Sequence, residues 1–222
     1  MSEAQKPGVK PQPVTGRTRD LVIFMDKAIF QMAKHWLALI NIFWGLYVGL
    51  PIAAPVMMDA GWELPSKVIY TLYRPACHQR PTRSFFYGGP QWAYTPEELA
   101  AAGVDINPLS RAIGNEQVGW KLAFCQRDVA IYGSIFGMGL VYGLLRKRGG
   151  GWQLKFRYYL LFLVPMGVDG VLQLLGLYES TWQMRAITGA SFGLGSVLFA
   201  YPYLEEGFGD VRRTINSKLH LE

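Results

Sequence analysis

The chain has 222 residues, half of them hydrophobic and 14% aromatic, with only 17% charged and a formal net charge of +6. Charged content well below the roughly 25% of soluble domains argues against an ordinary soluble domain and for a membrane protein. The basic residues flank apolar runs without the aromatic–basic interleaving of a nucleic-acid reader, so the expected partners are membrane lipids and no nucleic acid.

Residues 1–20 read as a flexible basic tail carrying Lys6, Lys10, Arg17 and Arg19. The tail lacks the apolar core of a signal peptide, so the first span is expected to direct insertion. From Leu21 to Lys34, Leu21, Phe24, Ala28 and Met32 share one helical face, which predicts a helix at the membrane surface. Trp36 to Met58 carries no charge. As a helix it would extend about 35 Å, enough to cross a bilayer. Pro51 and Pro55 are expected to kink its far half. Further spans are predicted at 129–145, at 158–177 with Asp169 as its one charge, and at 186–204. The expected fold is an all-α integral membrane protein. Four transmembrane helices form a compact bundle within a single domain over 21–204, with an N-terminal interfacial helix and a folded extracytoplasmic segment, followed by a tail over 205–222. A run as long as Trp36 to Met58 without a polar face argues against a soluble helical protein. Glycines four apart (Gly45 and Gly49, Gly133 and Gly137, Gly139 and Gly143, Gly189 and Gly193) predict close helix approach in lipid.

Most of the 22 Lys and Arg residues fall in the N-terminal tail and surface helix, in the turn carrying Arg146, Lys147, Arg148, Lys155 and Arg157, and in the C-terminal tail with Arg212, Arg213 and Lys218. The positive-inside rule then makes both termini cytoplasmic, puts 59–128 outside, and places the chain in the plasma membrane. Within that outer segment, Ser66 to Tyr73 reads as a helix leading to Pro75. Thr95-Pro96-Glu97-Glu98 reads as a capped helix start that Gly103 would end. Trp92, Tyr94 and Trp120 suit the membrane interface.

Cys77, His78, Cys125 and Asp128 are the chemical centre of the outer segment, and they include both cysteines of the chain. Cys125 and Asp128, three apart in the first turn of the second span, would face the same way at a helix N-terminus that favours thiolate and carboxylate. Two thiols, an imidazole and a carboxylate suit zinc or iron. A Cys77–Cys125 disulfide is the simpler alternative, with Asp128 then a helix-end acid paired with Arg127 or Arg83. Either chemistry requires the two cysteines to be neighbours. Asp169, placed about 12 Å below the outer end of the third span, shares a face with Gln173 and Gly176 and is the candidate catalytic residue. Its alternative is a structural ion pair with Arg127 or Arg185. Glu179, Ser180, Arg185 and Thr188 cluster at the outer ends of the last two spans. Neither His35 nor His220 can face His78 across a haem, and no Cys-x-x-Cys-His or Gly-rich phosphate loop occurs, so neither haem nor nucleotide is expected.

The run Cys77-His78-Gln79-Arg80-Pro81-x-Arg83-Ser84-Phe85-Phe86, then Phe124-Cys125-Gln126-Arg127, Pro165-Met166-x-x-Asp169-Gly170-x-x-Gln173, Glu179-Ser180 and Arg185-x-x-Thr188-Gly189 resembles the DUF2085 family of prokaryotic membrane proteins. The resemblance, from about Cys77 to Gly195, implies a small multi-span protein and marks Arg80, Arg83, Arg127, Gln173, Glu179 and Arg185 as supporting residues. It supplies no reaction, and whether the chain is an enzyme is left open. Family members often carry a further cysteine where this chain has Asp128, which bears on the choice between metal and disulfide. Residues 87–113 look like an insertion, a plausible docking surface for other membrane-protein subunits. The first expectation is therefore an outward-facing site that binds metal or runs thiol-redox chemistry on a membrane-bound partner. The second is a non-catalytic subunit or assembly factor of a larger membrane complex, stapled by the disulfide. Transport comes third, weakened by the lack of an inverted repeat.

Overall fold

The computed structural model describes residues 16–146 and 153–219. Lys6 and Lys10 of the tail, Lys147 and Arg148 of the turn, and His220 lie outside the described residues. The elements in order are α1 (Arg17–Asp59), α2 (Glu63–Leu72), a 3-10 turn at Pro81–Arg83, β1 (Ser84–Tyr87), α3 (Pro96–Ala101), β2 (Gly114–Asn115), β3 (Gly119–Cys125), α4 (Gln126–Arg146), α5 (Phe156–Leu174) and α6 (Trp182–Leu219).

The chain is mostly helical, but it is not all-α. β1, β3 and β2 form a three-stranded antiparallel sheet in that order, with Ser84 opposite Cys125 and Phe86 opposite Lys121. Ser-Phe-Phe-Tyr and Gly-Trp-Lys-Leu-Ala-Phe-Cys are rich in aromatic residues that pack well on a pleated surface. They are also too short to stand out against the apolar helices. Glycines with positive φ, Gly88 at 82° and Gly119 at 78°, turn the chain at the strand ends where a side chain would be strained.

Among the described residues, three helices are long and apolar enough to cross a membrane: α1, α4 and α6. α5 is a helix of 19 residues, but Arg157, Pro165, Asp169 and Gln173 within it keep it outside that set. The expected surface helix is not a separate element. α1 runs unbroken for 43 residues, about 65 Å, because neither proline nor glycine interrupts it before Gly45. α6 likewise continues past the expected span end at Leu204 to Leu219.

Prolines inside these helices leave carbonyls without their usual donor. The Tyr47 carbonyl, freed by Pro51, accepts from the Tyr73 hydroxyl at 3.0 Å. The Leu198 carbonyl, freed by Pro202, accepts from the Leu154 backbone N–H at 3.2 Å. Both helices pass through their prolines with these polar groups satisfied.

The chain divides into two compact units. In one, the start of α1 and the end of α6 bury Phe30, Ala33, Trp36 and Ile215, and Trp36 stacks on Phe208 at 5.5 Å. The other, Leu37–Glu205, holds the sheet and the remaining helices. Its principal core joins Ala54 of α1, Ile69, Tyr70 and Tyr73, Cys77, and Ala123 and Phe124 of β3. A second core, Phe86, Leu99, Val104 and Val118, organises the 87–113 insertion. There α3 starts with the expected capping box: Glu98 N–H donates to Thr95 Oγ1 at 3.2 Å, and Thr95 N–H to Glu98 Oε2 at 2.8 Å. Tyr94 packs edge-on to Phe86 at 5.2 Å, so it serves this core as well as any interface.

Two of the glycine pairs meet a neighbouring helix at both members: Gly139 and Gly143 of α4 face Asn41 and Leu37 of α1, and Gly189 and Gly193 of α6 face α4. A Cβ at Gly189 would lie 2.9 Å from the Arg127 carbonyl, and one at Gly193 2.0 Å from Ser134 Oγ and 2.5 Å from the Ile131 carbonyl. α4 and α6 therefore touch backbone to backbone. Gly49, Gly133 and Gly137 face open space.

Candidate functional site

Cys77 leaves the end of α2 in a tight turn, its N–H donating to the Tyr73 carbonyl at 3.0 Å. Two residues later Gln79 takes a left-handed φ of 51°, which a non-glycine residue adopts at a cost of roughly 1–3 kcal/mol. Hydrogen bonds hold it there. Gln79 Nε2 donates to the Tyr70 carbonyl at 2.8 Å, Lys121 Nζ donates to the Gln79 carbonyl, and Tyr70 Oη donates to the Lys121 carbonyl. This network locks the Cys77 loop onto β3.

Cys125 ends β3 and caps α4. Its backbone N–H donates to Cys77 Sγ at 3.2 Å, and its own Sγ accepts from the Asp128 N–H at 3.5 Å. The sulfur thus occupies the position that a Ser or Asp oxygen takes at an ordinary helix start. The expected adjacency of Cys77 and Cys125 is present across 48 residues of sequence. Both thiols are free and not at disulfide distance. The ligand atoms of Cys77, Cys125 and Asp128 all lie within 4.8 Å of one another. His78, the fourth expected ligand, is not in that cluster. It is exposed, although it lines the same cavity.

The electrostatics follow from this packing. Contact with the Cys77 thiol, then burial, then the charges of Cys77 and Asp128 push the Cys125 thiol well above its ordinary range. Burial lowers Lys121 to about 8, against an opposing pull from Cys77 and a further push from Arg74. Lys121 is only 1% exposed.

Asp169 is the one buried residue of α5, at 3% exposed. Arg127 Nη2 donates to its Oδ2 and Tyr178 Oη to its Oδ1. The ion pair with Arg127 weighed from sequence is therefore formed. The depth is different: α5 ends at Leu174, with Gly176 at φ 70° closing it, so Asp169 lies only about 7 Å from the helix end. Gly176 falls beyond the helix and shares no face with it.

A cavity of about 500 Å³ lies beside the cysteine pair and is also lined by Arg127, the partner of Asp169. Cys77, Cys125, Asp128 and His78 form one wall. Arg80, Arg83, Arg127 and Arg185 bring four guanidinium groups, and Gln173 and Gly170 come from α5. Gln126, buried at the first turn of α4, donates from Nε2 to the Ser84 carbonyl at 3.0 Å and accepts from Arg185 Nη1 at 3.0 Å. It ties β1 to α6 behind the cavity. Glu179 sits at the rim, 3.7 Å from Arg83 and 3.8 Å from Arg185. Ser180 and Thr188 are buried nearby.

The sequence reading missed Lys121, Tyr178 and the structural roles of Gln79 and Gln126. Lys121 had a signal. In Gly-Trp-Lys-Leu-Ala-Phe-Cys, Lys121 and Cys125 sit an even number of residues apart, hence on one face once the segment is read as a strand. Tyr178 lies in an irregular stretch where no periodicity points to a partner.

Long apolar helices beside a small folded segment define a helical membrane protein. The family model described as a predicted membrane protein (DUF2085) matches residues 117–199, which include Cys125, Asp128, Asp169 and Arg185 but not Cys77. The chain is also similar to the uncharacterised protein MJ1492 of Methanocaldococcus jannaschii, 30% identical over 182 residues, covering 79% of this chain and 96% of that protein. The chain belongs to the DUF2085 family. No solved structure matches it.

Proposed function

We propose that the protein is a plasma-membrane protein with an outward-facing metal centre, in which Cys77, Cys125 and Asp128 hold one zinc or iron ion. The observation carrying this reading is the convergence of two unbonded sulfurs and a carboxylate within 4.8 Å. Three protein ligands with a position left open is the pattern of catalytic zinc, and Cys77, Cys125 and Asp128 all line the cavity. His78, exposed and lining the same cavity, stands outside the ligand set and is available to a group bound there. The bound metal would act as a Lewis acid on a group entering the cavity. In this reading α5 is the fourth span, both termini are cytoplasmic, and residues 59–128 lie outside.

Elemental analysis of the detergent-purified chain tests this. The expected result is one equivalent of zinc or iron in the wild type and a large loss in Cys125→Ser and Asp128→Ala. A folded wild type without stoichiometric metal overturns it. The second reading, a non-catalytic subunit docking through residues 87–113, draws support from that segment's own core and from the outward-pointing Leu109, 89% exposed. It leads if the metal is absent and the two thiols are found oxidised to each other.

A further inference from the structure

We infer that the cavity beside the cysteine pair binds a phosphate-type oxyanion, held by Arg127, Arg185 and Gln173. Arg127 Nε, Arg185 Nε and Gln173 Nε2 are buried and have no hydrogen-bond partner, and all three residues line this one cavity. A buried donor without a partner costs about 1–3 kcal/mol, so three such donors converging on one cavity mark it as a place for an acceptor-rich ligand. A guanidinium has no acceptor atom, so the complement to these groups is itself an acceptor.

Charge favours an anion. The four guanidinium groups on the wall are Arg80, Arg83, Arg127 and Arg185, and Asp128 is the carboxylate among the lining residues. Asp169 engages the Nη2 side of Arg127 and leaves the Nε edge open. Glu179 approaches Arg83 and Arg185 only at 3.7 Å and 3.8 Å, and it is 64% exposed, so solvent screens it. The three carboxylates of Asp128, Asp169 and Glu179 are therefore outnumbered by the four arginines. The forked edge of arginine matches a tetrahedral oxyanion, whose several oxygens can serve three donors at once.

At about 500 Å³ the cavity exceeds what an oxyanion fills and has room for an organic group carrying it. Leu174, 86% exposed, forms one edge, on a helix that also exposes Val164, Val168 and Val171. An apolar helix face beside a cationic cavity suits a lipid phosphate as well as a soluble phosphate ester. The inference rests on this cavity being the functional site, as in the metal reading, but not on a metal being present.

The test is thermal unfolding of the full chain in uncharged detergent, titrated with inorganic phosphate, with dioctanoyl phosphatidic acid and with acetate at matched ionic strength. Metal content is read on the same samples. Phosphate, phosphatidic acid or both should raise the melting temperature saturably, with acetate inert. A response to phosphatidic acid alone supports a lipid headgroup, and a response to phosphate alone supports a soluble ester. Gln173→Ala, which removes a group with an unpartnered amide nitrogen and should fold normally, should weaken the affinity several-fold, and Arg185→Lys at least tenfold. No saturable shift with either phosphate compound, an equal response to acetate, or unchanged affinity in folded Gln173→Ala and Arg185→Lys overturns the inference. Metal present without phosphate binding removes this inference alone, and phosphate binding without metal removes the metal reading alone.

Discussion

Replacing Lys121 with methionine should abolish a specific part of the pH dependence of stability. Lys121 is buried on β3 at 1% exposed, and burial lowers its pKa from 10.5 to about 8. The unfolded chain therefore holds this proton more tightly than the folded one, so stability rises as pH climbs from about 8 toward 10.5. The gap corresponds to about 3 kcal/mol. Below pH 8 the protonated lysine costs roughly that amount, offset by its hydrogen bond to the Gln79 carbonyl, worth about 1.5–3 kcal/mol when charged. Lys121→Met should thus unfold within about 2 kcal/mol of wild type at pH 7. Between pH 7 and 10.5 the wild type should gain about 3 kcal/mol on the variant. In the metal-free chain the Cys125 thiol, raised by contact with Cys77, pulls stability the opposite way above its ordinary pKa of 9.0, but it does so in both chains, so the comparison is made on metal-free samples. Denaturant unfolding followed by tryptophan fluorescence across this range reads the difference. Parallel curves for the two chains would show that the lysine is not held protonated at a cost, and the account of how the Cys77 loop is locked would fail with it.

Asp169→Leu leaves Arg127 without its buried partner and should cost about 3–5 kcal/mol, while Asp169→Asn, which still accepts from Tyr178, should cost less; equal unfolding midpoints for the two variants would remove the charge from the argument. Gly193→Val drives a side chain into Ser134 and the Ile131 carbonyl and should lose at least about 2 kcal/mol, whereas Gly137→Ala, in open space, should be neutral or slightly stabilising by the same unfolding assay. A reporter active only outside the cytoplasm should work when fused after Gly103 and fail after Arg148, and the reverse pattern would place the cysteine pair on the reducing side.

What could be read from the sequence was local or rested on spacing. The α3 cap needs only Thr95 and Glu98, and both hydrogen bonds formed as read. The helix before Cys77 has a clear apolar face, and α2 is there. The adjacency of Cys77 and Cys125 followed from the charge count, which put both on one side, and from the close approach that either a disulfide or a shared metal demands. The sheet was hidden because its strands are two, four and seven residues long, below the length at which apolar runs separate strand from helix. The boundary expected near Lys34 was set by charge, but charge does not end a helix; backbone chemistry does, and nothing between Arg17 and Trp44 supplies it. The arginine wall was visible as single residues. Its convergence on one cavity depends on β3 turning directly into α4, which puts Arg127 against α5 and Gln126 against Arg185.

The central claim is that Cys77 and Cys125 are two thiolates on one metal. Alkylation of the native, detergent-purified chain with and without a chelator, counted by intact mass, tests it most directly. The account predicts that both thiols resist alkylation as purified and that both react once the chelator has removed the metal, without any reductant. Two thiols that react fully before chelation, or that stay unreactive afterwards until a reductant is added, would contradict it.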